Sequence, residues 1–121
     1  METLTKSYTV MPEMTAKYFA SGTLDVFATP SLVGCMEDTA KTIIDPKLQE
    51  GESSVGTKIA ISHVKASPVG ATIEVTAILV KHEGRMYEFE VMATQDGELI
   101  GEGTHTRAVI NIERFMSKVN R

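Results

Sequence analysis

The order of patterns along the chain predicts an α+β domain in which an antiparallel β-sheet covers a single long helix. Two observations carry this: one helical stretch from Thr29 to about Ile44, and near-continuous period-two alternation from Gly56 onward, broken by hairpin turns. With 121 residues and no composition break or Pro-rich linker, residues 1–121 are read as one domain.

The opening segment Lys6 to Met11 alternates apolar and polar residues and stops at Pro12, which predicts a strand. Leu24 to Ala28 reads as a second short extended piece. Thr29-Pro30-Ser31 then starts the helix, with Thr29 suited to an N-cap and Pro30 to the first turn, where its missing N–H is not needed. Val33, Glu37, Ala40 and Ile44 share one face at i, i+4, i+7 and i+11, flanked by Met36 and Ile43, so a carboxylate stands on the apolar stripe. Asp45-Pro46 ends the helix, and Gln49 to Ser54 is polar enough to read as a loop.

Four strands follow. Thr57, Ile59, Ile61 and His63 share a face of the first, which ends at Ser67-Pro68-Val69-Gly70; Ile73, Val75, Ala77 and Leu79 share a face of the second, which turns at His82-Glu83-Gly84. Tyr87, Phe89, Val91 and Ala93 line the third, and Gln95-Asp96-Gly97 is a turn signal before a long fourth strand from Glu98 to about Ile112. Gly101 and Gly103 inside that strand suggest a bulge or a close backbone approach, and a short helix follows Asn111.

Sixteen acidic against twelve basic residues leave a net charge of −4, which supplies no positive field for a phosphate backbone, so nucleic acid is excluded as a partner. A single cysteine, Cys35, rules out an internal disulfide and points to a reducing, cytoplasmic compartment. No stretch reaches the ~18 apolar residues of a membrane span. The three histidines lie 19 and 23 residues apart (82 − 63 and 105 − 82), with no short ligand pair, so no metal site is expected. Gly101-Glu102-Gly103 lies inside a strand pattern and is no dinucleotide loop, and neither a P-loop nor a GxSxG elbow is present.

Glu37 is the most informative position, because a carboxylate on an apolar stripe must be hydrogen-bonded, paired, protonated or at an edge where it reaches water. His63 sits at an inward position after Ile59 and Ile61 and reads either as a satisfied core or rim residue or as a group facing the helix, where it could meet Glu37 or a ligand. Together the two are the parts of general acid–base catalysis. Thr29 is either a helix cap or a hydroxyl beside a reacting carbonyl, at a turn whose free N–H groups favour developing negative charge. Cys35 reads as a small buried residue rather than a nucleophile. His82 falls in a turn and is expected in solvent. His105 and Arg107 share a parity on the last strand and form either an anion-binding rim or an ordinary exposed face.

The run Phe27-Ala28-Thr29-Pro30-Ser31-Leu32-Val33-Gly34-Cys35-Met36-Glu37-Asp38-Thr39-Ala40, then Ser54-Val55-Gly56-Thr57, Ser62 to Gly70 and Gly101 to Val109, resembles the hotdog-fold thioesterases, nearest to their fluoroacetyl-CoA thioesterase branch. The resemblance covers residues 5 to 118. It implies an antiparallel sheet wrapped around one long central helix, and homodimers, or tetramers built from them, with active sites at the subunit interface. It further implies that Thr29, Glu37 and His63 act together on an acyl-CoA thioester, that Gly56 contacts the substrate carbonyl region, and that Arg107 is the matching arginine of the last strand. CoA enters as part of the substrate, and no separate cofactor is expected. In the region of the fluoroacetate-specific enzyme's aromatic lid this chain reads Tyr18 to Phe27, where Tyr18, Phe19 and Phe27 could contribute aromatic area without aligning as a lid, and fluoroacetyl specificity is not predicted. A polyanionic CoA would need Lys58, Lys65, Arg85 or Arg107 to gather locally. A non-hydrolytic acyl-CoA-binding protein and an enoyl-thioester hydratase are the competing readings of the same fold.

Overall fold

In the computed structural model, which describes residues 2–121, the chain runs β1 (Thr3–Thr9), α1 (Ala16–Phe19), α2 (Thr29–Ile44), β2 (Glu52–His63), β3 (Thr72–Glu83), β4 (Met86–Gln95), β5 (Glu98–Asn111) and α3 (Ile112–Val119). Single 3-10 turns occupy Pro12–Met14 and Asp45–Lys47. All strand pairs are antiparallel, and the sheet order is β1-β3-β4-β5-β2. The sheet curves around α2, which touches every one of the five strands. One edge of the sheet is β1 and the other is β2.

The alternation in β3 and β4 turns one side of each strand to the helix. Ile73, Val75 and Ala77 of β3 and Tyr87, Phe89, Val91 and Ala93 of β4 are all buried there, as their period-two pattern predicts. Asp96 (φ 51°) and Gly97 (φ 78°) make the β4–β5 turn with the two positive φ values a type I′ hairpin needs. Gly103 is the close approach: a Cβ there would lie 2.1 Å from the Ala60 carbonyl oxygen on the adjoining β2. Gly101 does the same toward the helix, with Leu32 Cδ2 at 2.8 Å from an added Cβ.

The buried stripe of α2 is Leu32, Cys35, Met36, Thr39, Ala40, Ile43 and Ile44. It is centred one residue away from the expected face, and because successive residues turn by ~100°, Val33 and Glu37 fall on its flank. That removes the paradox of a carboxylate in the core. Glu37 keeps 40% of its side chain exposed, on the side of α2 that faces Gly56 of β2 and Arg107 of β5.

Three elements differ from expectation. β1 begins at Thr3 and ends at Thr9, ahead of Met11, and Val10 instead donates its N–H to the Ala71 carbonyl. Leu24 to Ala28 forms no strand. The isolated bridges Thr15–Phe27 and Val26–Pro68 tie it down, with further backbone hydrogen bonds from the Lys17 N–H to the Leu24 carbonyl and from the Ala28 N–H to the Met14 carbonyl, and α1 precedes it, its N-terminus capped by Thr15 Oγ1 accepting from the Tyr18 N–H. β2 starts at Glu52, so Gln49 to Gly51 form the expected loop while Glu52, Ser53 and Ser54 are paired with Asn111, Ile110 and Val109 of β5. Their side chains carry no strand signal because hydrogen bonding to a neighbouring chain segment needs only their backbones.

Candidate active site

Thr29 and His63 meet where the start of α2 passes the end of β2. Thr29 Oγ1 lies 2.8 Å from His63 Nδ1. The N-cap of α2 is Ala28, in extended conformation and with no side-chain cap, so the expected capping role of Thr29 gives way to this bond. One residue's shift of the helix start accounts for it: Thr29 already has helical geometry, and its side chain points across to the strand. The His63 ring packs edge-on against buried Phe27 at 6.1 Å, and its Nε2 is buried without a hydrogen-bond partner among the described residues. Burial pulls the His63 imidazolium below its ordinary range, partly offset by the Lys65 backbone. A cleft of about 350 Å3 opens beside the pair, lined by Val26, Phe27, Ala28, Thr29, Pro30 and His63 among others.

Glu37, Gly56 and Arg107 form a second group. Eight residues separate Glu37 from Thr29, which is ~12 Å of helix rise. Glu37 Oε2 is 3.8 Å from Arg107 Nη1. A Cβ on Gly56 would lie 2.7 Å from Glu37 Oε2, 3.1 Å from His105 Cε1 and 3.4 Å from Arg107 Nη1, so the missing side chain is what lets the carboxylate approach the sheet. The ladder slips between Gly56 and Lys58, leaving Thr57 as the extra residue of a bulge, and this explains why Thr57 is exposed and does not continue the inward face of Ile59, Ile61 and His63.

Arg107 and His105 are not on a rim. Both are buried, at 5% and 2% exposure, because their parity on β5 turns them inward. Arg107 Nε donates to Ser54 Oγ (3.1 Å), Nη2 to the Ser54 carbonyl (3.0 Å) and Nη1 to His105 Nε2 (3.2 Å). His105 Nδ1 is 2.7 Å from the Lys58 carbonyl. Burial lowers the proton affinity of His105, with the Arg107 charge acting in the same direction, and burial also lowers that of Arg107. Ser54 is the neighbour that sequence reasoning missed, and the parity it shares with Gly56 was the available signal; His105 was paired with Arg107 from its parity, but on an outer face and not inside.

The cations expected to gather for CoA lie on separate elements: Lys58 on β2, Lys65 beyond it in an ion pair with Glu98, Arg85 in the β3–β4 turn, and Arg107 inside. Cys35 is buried, and burial together with the nearby Asp38 pushes its thiol up to about 11, which leaves it protonated and unsuited to attack. His82 stacks on the Tyr87 ring at 3.9 Å in the β3–β4 hairpin, exposed as expected. Among the described residues no three His, Cys, Asp or Glu side chains gather as a metal group, and no helix is long and apolar enough to cross a membrane.

The sequence and the fold of the whole chain match a known set of proteins. The family model described as fluoroacetyl-CoA-specific thioesterase matches residues 10–113. The fluoroacetyl-CoA thioesterase of Streptantibioticus cattleyicolor is 44% identical over 97 residues, 80% of this chain and 70% of the relative. A solved structure of the fluoroacetyl-CoA thioesterase FlK superposes with a TM-score of 0.94 at 38% identity, covering 98% of this chain and 93% of that one. A Thermus thermophilus protein described as a thioesterase superfamily member follows at 0.91 and 29%, covering 99% and 89%. The sheet wrapped around α2 is therefore the hotdog fold, and the chain belongs to the fluoroacetyl-CoA-specific thioesterase family.

Proposed function

We infer that the chain is a hydrolase of small acyl-CoA thioesters, releasing the free acid and CoA, and that Thr29, Glu37 and His63 carry the reaction. The observation that carries the reading is the Thr29–His63 hydrogen bond at the mouth of an apolar cleft, with the Glu37 carboxylate on the same helix. It is supported by the 44% identical relative, a fluoroacetyl-CoA thioesterase, and by related structures in complex with fluoroacetate and CoA and with acetyl-CoA.

Hydrolysis needs an oxygen nucleophile, a place for the oxyanion and a proton for the departing thiolate. Glu37 supplies the first, by attacking the carbonyl to give an acyl–glutamyl anhydride that water then opens, or by taking the proton of the attacking water. Both routes end in the same carboxylic acid and thiol. The Thr29 hydroxyl and the first-turn N–H groups of α2 face the developing oxyanion, and the end of a helix where N–H groups lack partners favours that charge. His63, hydrogen-bonded to Thr29, manages the proton of the thiolate. Gly56 and Arg107 sit against Glu37, which supports reading them as the residues beside the substrate carbonyl.

Two copies pairing through their β2 edges would place these groups at a subunit boundary. β2 carries both Gly56 and His63, and its outer edge is unpaired within the chain, which suits a homodimer. Such an enzyme works in the cytoplasm, where acyl-CoA esters and a reduced Cys35 coexist.

The test is thiol release from short, medium, aromatic and halogenated acyl-CoAs by wild type and Glu37→Gln. Wild type is expected to turn over at least one short ester, and Glu37→Gln to lose ~10²–10⁴-fold in rate. Saturable binding without any thiol release would instead identify a non-hydrolytic acyl-CoA-binding protein. Sedimentation of the same sample checks the dimer; a monomer with full activity would overturn the shared site.

A further inference from the structure

Glu37 stands on a flank of α2, 40% exposed, and Arg107 is the charged group within ion-pair distance of it among the described residues. The orientation of that carboxylate therefore depends on how firmly the guanidinium is held. It is held on three sides, by Ser54 Oγ at 3.1 Å, the Ser54 carbonyl at 3.0 Å and His105 Nε2 at 3.2 Å. Nη1 keeps a second N–H beyond the one given to His105, and this nitrogen is the one 3.8 Å from Glu37 Oε2.

The tautomer of His105 follows from its partners. The Lys58 carbonyl at 2.7 Å can only accept, so Nδ1 carries the ring proton and Nε2 presents a lone pair. A protonated ring would set two positive groups against each other in a buried place, and burial and the Arg107 charge both keep the imidazole neutral. The ring is further fixed by stacking on buried Phe89, with centroids 6.5 Å apart at 29°. His105 and Ser54 are themselves 2% and 6% exposed, so both are shut off from bulk solvent.

We propose that Ser54 and His105 are positioning residues of this thioesterase: they lock Arg107 in one orientation, and Arg107 in turn aims the Glu37 carboxylate at the reacting carbonyl. This rests on the reading of Glu37 as the reacting carboxylate. A carboxylate with three free torsions samples many unproductive directions, and one rigid cation beside it selects among them. His105 serves as an acceptor that a buried arginine can use without adding charge.

The experiment measures kcat and KM of Ser54→Ala, His105→Leu and His105→Gln with the ester that wild type turns over best, each alone and combined with Glu37→Gln. Ser54→Ala and His105→Leu are expected to lower kcat by about 10- to 100-fold with KM within about threefold of wild type, because the loss is in alignment and not in binding. His105→Gln is expected to keep most of the rate, since its amide N–H can donate to Lys58 and its oxygen can accept from Arg107. In the Glu37→Gln background the same substitutions should change the residual rate by less than about twofold, as their route of action is gone. Unchanged kcat in both Ser54→Ala and His105→Leu, equal damage from Gln and Leu, or undiminished losses without Glu37 would each overturn the proposal. If His105→Leu does not fold, Ser54→Ala carries the test with the least disturbance. A fully active Glu37→Gln would sink the thioesterase mechanism itself, a result separable from the others.

Discussion

The Thr29 hydroxyl bonds His63 Nδ1 at 2.8 Å and leaves the N-terminus of α2 without a side-chain cap. A residue type that usually stabilises a helix end has been turned outward to a histidine on a facing strand. Stability and chemistry therefore separate at this position. Replacing a true cap by Ala costs ~1 kcal/mol. Thr29→Ala is expected to cost less than about 0.5 kcal/mol in urea unfolding while thiol release falls at least ~10-fold. Thr29→Ser, which keeps the hydroxyl, should retain most of the activity. A Thr29→Ala protein that is destabilised but fully active would assign the residue to folding alone.

Gly56→Ala tests the space that the carboxylate occupies. The added Cβ would lie 2.7 Å from Glu37 Oε2, the far end of a flexible side chain that can swing away, and 3.1 Å from His105 Cε1, which needs to give by only a few tenths of an ångström. Circular dichroism and melting temperature should stay close to wild type. Hydrolysis should fall by ~10²-fold, the scale of a misplaced catalytic group. Wild-type turnover in this variant would show that Glu37 does not need its place beside the sheet.

Gly103→Ala should behave in the opposite way. Its Cβ would meet the Ala60 carbonyl at 2.1 Å and Ile61 Cα at 2.7 Å, atoms of backbone that cannot rotate aside. The β2–β5 ladder must part, and with it the strand that carries Gly56 and His63. A loss of ~3 kcal/mol or more is expected, at or above the upper end of overpacking costs. Equilibrium unfolding of the purified variant checks this, and a loss below ~1 kcal/mol would mean that β2 lies further from β5 than the ladder shows.

Acid should loosen the fold beginning near neutrality. Burial holds both His63 and His105 below their ordinary value of 6.5, so on acidification the unfolded chain takes up protons before the folded one does. Stability is therefore full above about pH 6.5 and declines as pH falls through that value toward the lowered folded values. Asp38, held below 3.8 by hydrogen bonds from Lys6 and Tyr8, adds a second decline as pH falls below that value. Melting temperatures from pH 8 to 5 should drop for wild type and drop less for His63→Gln combined with His105→Gln. Parallel curves for the two proteins would refute the assignment to these imidazoles.

Much of the architecture was present in the chain's periodicity. The helix limits Thr29 and Ile44, the inward faces of β3 and β4 and the Asp96-Gly97 turn follow from local rules, since alternation, Pro placement and positive φ are properties of a few neighbouring residues. The resemblance of its motifs also singled out Thr29, Glu37, His63, Gly56 and Arg107. Sequence did not show the start of β2 at Glu52, because strand pairing at a sheet edge uses backbone groups and leaves no mark on polar side chains. Nor did it show α1, four residues held by one threonine cap.

What the tertiary structure alone decided is how those residues combine. Parity told that His105 and Arg107 share a face but not which side of the sheet that face would take, and the curvature of the sheet around α2 turned both inward. The helix stripe told that Glu37 lay near the apolar face, and a rotation of about one residue placed it on the flank, against Gly56 and 3.8 Å from Arg107. Sequence thus determined the long helix, the main strands and which side chains are capable of chemistry. Packing of α2 against the sheet determined which of them touch, because contacts between residues dozens of positions apart depend on how two elements rotate against each other, and no local pattern encodes that angle.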